Sequence, residues 1–145
     1  MEKRLEYKNI PYGYEHCFNE NCQLRSKCIH YQVYLLKPDD RIVGPAVYPS
    51  AWKSGQCLRF NEVKLVKMAW GFSQLYKNVP RYLQAEARSS VKRYFSRGNG
   101  PYYRYHHGEN KLMPSQQEDI MNILAQFGRT DGLTFDHYET DFDFS

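Results

Sequence analysis

The sequence has no long apolar run. Nothing in it approaches the roughly 20 consecutive apolar residues that a membrane-spanning helix needs. The first nine residues are basic, yet no apolar stretch follows them, so the expectation is a cytoplasmic chain without a secretion signal. No internal repeat or low-complexity segment breaks the 145 residues. Neither a phosphate-binding glycine loop, a nucleophile elbow nor a two-histidine metalloprotease motif is present, which weighs against catalysis. The best polar constellation for an enzyme is Arg104, His106, His107 and Glu109. Read as a strand, it would point its adjacent histidines to opposite faces. Cysteine is scarce as well, and all of it falls in one pattern.

The four cysteines are Cys17, Cys22, Cys28 and Cys57, spaced C-x4-C-x5-C-x28-C. Thiolates are soft, charged ligands, and four of them can enclose a zinc ion or an iron–sulfur cluster. The tight C-x2-C pairs of common zinc sites are absent. The first gap resembles that of plant-type two-iron clusters, whereas the second does not. His16 and His30 flank the set and could replace one thiolate. Two disulfides would require an oxidising compartment. Four buried free thiols are the other alternative. Against that alternative, Asn19, Glu20, Asn21, Gln23, Arg25, Ser26 and Lys27 make the intervening segments polar.

Aromatic residues make up 16% of the chain, including 13 tyrosines, enough for a half-wet core. Charge is uneven. Residues 115–145 hold seven acids and one cation, whereas residues 80–114 hold seven cations and two acids. The periodicities predict a mainly α, single compact domain with a small β component. In it a cysteine-rich, metal-binding part (1–57) joins a helical part (58–145) with an acidic tail. A first helix begins inside the cysteine cluster at about Leu24–Leu36. Residues 37–56 form a long loop, with a short strand at Ile42-Val43 or Ala46–Tyr48, and a metal would pin it. A three-helix body follows. Asn61 caps a helix over 62–77, with Leu65, Met68, Ala69, Phe72, Leu75 and Tyr76 as its stripe. Pro80 opens a second helix to about residue 96. A short hairpin over 102–113 turns at Gly108. A third helix begins with a Ser115/Glu118 capping box, carries the stripe Ile120, Ile123, Leu124 and Phe127, and closes at Gly128. The aromatics of the tail should dock and its acids should face water.

Several local patterns coincide in one family. They are Tyr14-x-x-Cys17-Phe18-Asn19-x-x-Cys22 with Cys28, Gly55-x-Cys57, Pro101-Tyr102-Tyr103-Arg104 and Gly108-Glu109. With them go Leu112-x-Pro114, Gln116-Gln117 and Phe135-Asp136-x-Tyr138. Together they resemble an uncharacterised family of short bacterial proteins, a domain of unknown function. The chain departs from its pattern at Gln23, where proline is common, and at Ile29-His30, where Leu-Arg is common. The resemblance implies a small cytoplasmic protein whose four cysteines act as a set, and it implies no activity.

Two function classes follow. One is a zinc-stabilised binding module with a structural four-cysteine site, which folds around its metal. The other is an iron–sulfur redox or sensor protein. A partner, protein or nucleic acid, would meet a basic face of Arg81, Arg88, Lys92 and Arg104 beside Tyr103, with Arg93 and Arg97 near it. The plain alternative for that face is a solvated surface.

Overall fold

Immediately after Cys28 the chain enters its first helix, α1 (Ile29–Leu36), which starts past the cysteine cluster and not inside it as the sequence suggests, because residues 24–27 form turns. In a computed structural model describing residues 3–96 and 98–145, the chain divides into two units. One is Met1–Leu65 with Phe142–Ser145, and the other is Val66–Asp141. No helix among the described residues is long and apolar enough to cross a membrane. Arg97 lies outside the described residues.

In the first unit, α1 ends at Lys37, whose extended backbone is what a following proline, Pro38, imposes. The helix buries Ile29, His30 and Val33. Ile29 and Val33 pack with Phe142, and Leu5, Tyr7, Ile10 and Tyr14 close around them. The segment before it is extended. His16 donates its N–H to Pro45 O at 3.1 Å and accepts from Val47 N–H at 2.8 Å, and Cys17 N–H reaches His30 O at 3.0 Å. The loop over 37–56 is therefore held by its own backbone. Neither place offered for a short strand becomes one: Ala46 makes a single parallel bridge to His16, while Ile42 and Val43 stay exposed. The loop ends in a hairpin instead, β1 (Trp52–Lys53) paired antiparallel with β2 (Gln56–Cys57). Its two turn residues, Ser54 and Gly55, have φ of 54° and 78°, the primed turn that suits the twist of a two-residue hairpin.

Asn61 does not cap a helix. Its Nδ2 donates to Asp143 O and Ser145 O at 3.1 and 3.0 Å, tying down the C-terminal residues. Asp143 is buried, against the expectation that the tail's acids face water. Its carboxylate accepts from Ser145 N–H at 2.9 Å and lies 3.6 Å from Lys64 Nζ. Burial alone would push this carboxyl up, but the Ser145 hydrogen bonds and the Lys64 charge outweigh it, so the net shift is down. A depressed folded-state pKa stabilises above the unfolded value and is lost as pH falls through the folded one. Asp143→Asn should thus cost stability at pH 7 and pH 5. The gap from wild type should narrow below about pH 4, the ordinary carboxylate range. Urea midpoints at the three pH values check this. A constant gap would mean that the charge contributes nothing.

The second unit overturns the mainly α expectation with its three-helix body and hairpin. Among the described residues of the chain there are four α-helices and two two-stranded sheets. The segment predicted as the first helix of the body is strand β3 (Leu65–Trp70), paired with β4 (His137–Phe142), followed by turns. Two physical facts decide against the helix. Val66 and Trp70 favour a strand, and Gly71 has φ +87°, which no right-handed helix passes through. Four of the six stripe residues still reach the interior: Ala69, Phe72, Leu75 and Tyr76 are core, whereas Leu65 is exposed and Met68 half-buried. Ala69 exchanges both backbone hydrogen bonds with Leu112, at 3.1 and 2.7 Å.

A 3-10 turn at Arg81–Leu83 leads into α2 (Gln84–Phe95), so the second predicted helix forms. The expected hairpin is helical instead. Residues Gly100–His106 make α3, with Pro101 in the first turn, where its missing N–H costs nothing. The tyrosines that suggested a strand pack as a helix face, with Tyr102 buried against Phe72 and Phe95. The last helix, α4 (Pro114–Leu124), starts two residues before the Ser115/Glu118 box predicts. Its cap is Gln116 Oε1, which accepts Met113 N–H at 2.9 Å. Helix α2 packs on α3 and α4. Phe72, Leu75, Val91, Leu112, Ile120 and Leu124 fill the centre. Each such side chain contributes roughly 1.5–3 kcal/mol on burial.

Candidate functional site

All four cysteines belong to the first unit, and none is disulfide-bonded. Different local structures deliver them. Cys17 ends the extended segment held by His30 and Pro45, and Cys22 lies in a run of tight turns, its N–H on Asn19 O at 3.3 Å. Cys28 is the residue before α1 and bridges antiparallel to Glu62, which fixes its backbone. Cys57 closes the Ser54-Gly55 hairpin. Cys28 is buried and the other three are half-buried. Cys17 and Cys57, distant in sequence, line one cavity of about 360 Å3 with Phe18, Tyr48, Pro49 and Trp52.

Burial pushes the Cys17 thiol up. A hydrogen bond to the Asn19 backbone opposes this, while Cys28, Cys57 and Cys22, in that order, add to it. Cys17 therefore sits within electrostatic reach of all three other thiols. Even so, no three His, Cys, Asp or Glu side chains among the described residues come together as a ready coordination set. The donor chemistry fits a thiolate-bound metal, and Cys17 and Cys57 share a cavity, but the four thiols do not form a coordination set.

The two flanking histidines differ. His16 is satisfied: its Nδ1 donates to Tyr14 O at 2.8 Å and its Nε2 accepts from Tyr7 O–H at 2.9 Å. Burial holds its pKa below the ordinary histidine value. His30 is 1% exposed and stacks on Tyr14 at 4.8 Å. Its Nδ1 donates to Glu15 O at 2.8 Å, which leaves a buried Nε2 lone pair with no partner among the described residues. The sequence places His30 beside the cysteines, but nothing in it marks that lone pair, because the Glu15 contact depends on tertiary structure.

The basic face is partly assembled. Arg81, Arg88 and Arg104 are exposed, as is Tyr103, and Lys92 is half-buried. Arg88 and Tyr103 line one cavity in the second unit, and Lys92 Nζ lies 5.3 Å from the Tyr103 ring centroid. Arg81 and Arg104 do not line that cavity. Among the described residues none of these cations forms an ion pair. Glu139 of the acidic tail pairs with Lys111, and Asp136 accepts Ser73 N–H at 3.1 Å. His106 and His107, read as strand neighbours, are instead the last residue of α3 and its C-cap, with ring centroids 5.0 Å apart.

No curated protein and no solved structure matches this chain. The Tyr14-to-Cys57 patterns and the later Pro101, Gly108 and Phe135 motifs nevertheless fall within one match, over residues 1–144, and by it the chain belongs to the family of unknown function DUF6078.

Proposed function

We propose that the protein is a zinc-binding interaction module of a reducing, cytoplasmic setting, with Cys17, Cys22, Cys28 and Cys57 as its structural metal ligands. The observation that carries this reading is four unbridged thiols in one unit, two of which, Cys17 and Cys57, line one cavity from distant segments. Four thiolates leave zinc no open position, so the metal would serve folding, not catalysis. Zinc would also draw together thiols that form no coordination set by themselves. The same unit exposes large apolar side chains: Phe18, Ile42, Val43, Tyr48 and Leu58 are each more than half exposed. Exposed apolar surface of this kind suits a protein partner.

Metal analysis and thermal melting test the proposal together. Protein made with zinc and iron both supplied should be colourless and hold one zinc per chain. Zinc-binding free energy in small zinc domains is on the order of 10 kcal/mol and is folding free energy. Chelation should therefore lower the melting temperature, and so should Cys28→Ser or Cys57→Ser. Brown protein with charge-transfer absorption would replace zinc by an iron–sulfur cluster. Metal-free protein whose melting temperature ignores both zinc and chelator would remove the metal altogether.

A further inference from the structure

Within the second unit, the turns after β3 face α2 and α3 across an open cavity of about 480 Å3. That volume is ordinary for a small-molecule site. Its walls are aromatic, from Phe72, Tyr76, Tyr102 and Tyr103. Its polar groups include Lys77, Arg88 and His106, and among the described residues no Asp or Glu lines it.

The cations here are positioned by rings. The Arg88 guanidinium lies 5.1 Å from the Tyr76 ring centroid, and Lys92 Nζ lies 5.4 and 5.3 Å from those of Tyr102 and Tyr103. A cation over a π face is attracted without spending its N–H donors. Lys77 and Arg88, which line the cavity, have no ion pair among the described residues, so their charge is left for a ligand, although one Lys77 N–H reaches Gly132 O at 3.4 Å. Lys92 lies beside the Tyr103 wall, outside the lining. Neutral donors complete the set. The Tyr76 and Tyr102 hydroxyls lie 3.0 Å apart, so one donates to the other and one proton stays free. Burial raises both phenol pKa values, which keeps them protonated. His106 Nδ1 accepts Phe72 N–H at 3.0 Å, which places the proton of the neutral ring on Nε2.

We propose that this cavity binds a small phosphorylated ring compound of mononucleotide size, with its ring against the aromatic walls and its phosphate at Arg88 and Lys77. A free mononucleotide and the phosphorylated end of a single strand share this chemistry. The inference is independent of the zinc reading and rests on the other unit.

The test is calorimetric titration of the full chain with the four common ribonucleoside monophosphates, their nucleosides, inorganic phosphate, and a short oligonucleotide with and without a 5′-phosphate. At least one monophosphate should bind more tightly than its nucleoside and than phosphate alone. Arg88→Ala should weaken it about tenfold or more, as loss of a charge-assisted contact does. Arg81→Ala and Arg104→Ala, outside the cavity, should leave it unchanged. Both Arg81 and Arg88 are exposed, so the variants should keep the wild-type melting curve, which is recorded alongside. Equal binding of the 5′-phosphorylated oligonucleotide, with the same Arg88 dependence, would identify a strand end as the source. No binding of any monophosphate at millimolar concentration would overturn the proposal. So would binding indifferent to Arg88→Ala and Lys77→Ala, or oligonucleotide binding that needs Arg81 and Arg104 and no terminal phosphate.

Discussion

Phe72→Ala is expected to destabilise the second unit by about 3–5 kcal/mol, the usual cost of removing a buried aromatic side chain. Phe72 is 1% exposed. Its ring centroid lies 4.9 Å from Tyr102, 5.9 Å from Phe95 and 6.1 Å from Phe135. Those three rings come from α3, α2 and the segment before β4, so one truncation loosens every layer around the centre. Its backbone N–H also holds His106 Nδ1, and a shift there disturbs that contact. Relaxation of the cavity wall can recover part of the loss, which favours the lower half of the range. The readout is a denaturant titration followed by Trp70 fluorescence in a Trp52→Phe background, because Trp52 belongs to the other unit. The midpoint should fall with little change in slope. Tyr82→Ala, at a position 84% exposed, is the matched control and should change stability by no more than about 0.5 kcal/mol. A similar loss in both variants would mean that the aromatic cluster is not the centre of this unit.

Burial was easier to read from the residues than backbone conformation. Of the stripe Leu65, Met68, Ala69, Phe72, Leu75 and Tyr76, the last four are core, because large apolar side chains go inside whichever way the chain runs, while Leu65 at the start of β3 stays exposed. Helix and strand periodicities overlap over so short a run. The discriminating signal was Gly71 beside Val66 and Trp70. The tyrosines of 102–105 misled in the other direction. Their β propensity suggested a hairpin, whereas Pro101 at the start of α3 and the rings of Phe72 and Phe95 favour a helix there. Helices α2 and α4 were legible through their apolar faces and, for α2, through Pro80, although the Ser115/Glu118 box that marked α4 is not its cap. The sequence grouped the cysteines through their spacing alone. It could not show that Cys57 would arrive on a two-residue hairpin, or that it would share a cavity with Cys17, since both depend on contacts between distant segments. The cavity between Tyr76 and Tyr103 was out of reach for the same reason, though its Arg88 and Tyr103 were already singled out by charge and aromaticity.

Gly71→Ala is expected to cost the second unit about 3 kcal/mol, from two separable causes. The first is backbone. At φ +87° an L side chain meets its own carbonyl, a penalty of about 1–2 kcal/mol. The second is space. A Cβ at Gly71 would stand 2.6 Å from Asp136 Cβ and 2.7 Å from its Oδ2, closer than side-chain carbons approach. Asp136 cannot swing away freely. Its N–H donates to Gly71 O at 3.0 Å, and its Oδ2 accepts Ser73 N–H at 3.1 Å. Moving the carboxylate leaves the Ser73 N–H without its partner, which adds roughly 1 kcal/mol or more. Gly132→Ala isolates the backbone cause. Gly132 lies in the same unit with φ +73°, and nothing stands within 4 Å of the added carbon. Its loss should be about 1 kcal/mol, so the difference between the two variants measures the displacement of Asp136. In the Asp136→Gly background the two substitutions should converge, because the Cβ and the carboxylate that collide with the added carbon are both gone. Persistence of the full difference in that background would place the strain elsewhere than at the Gly71–Asp136 contact.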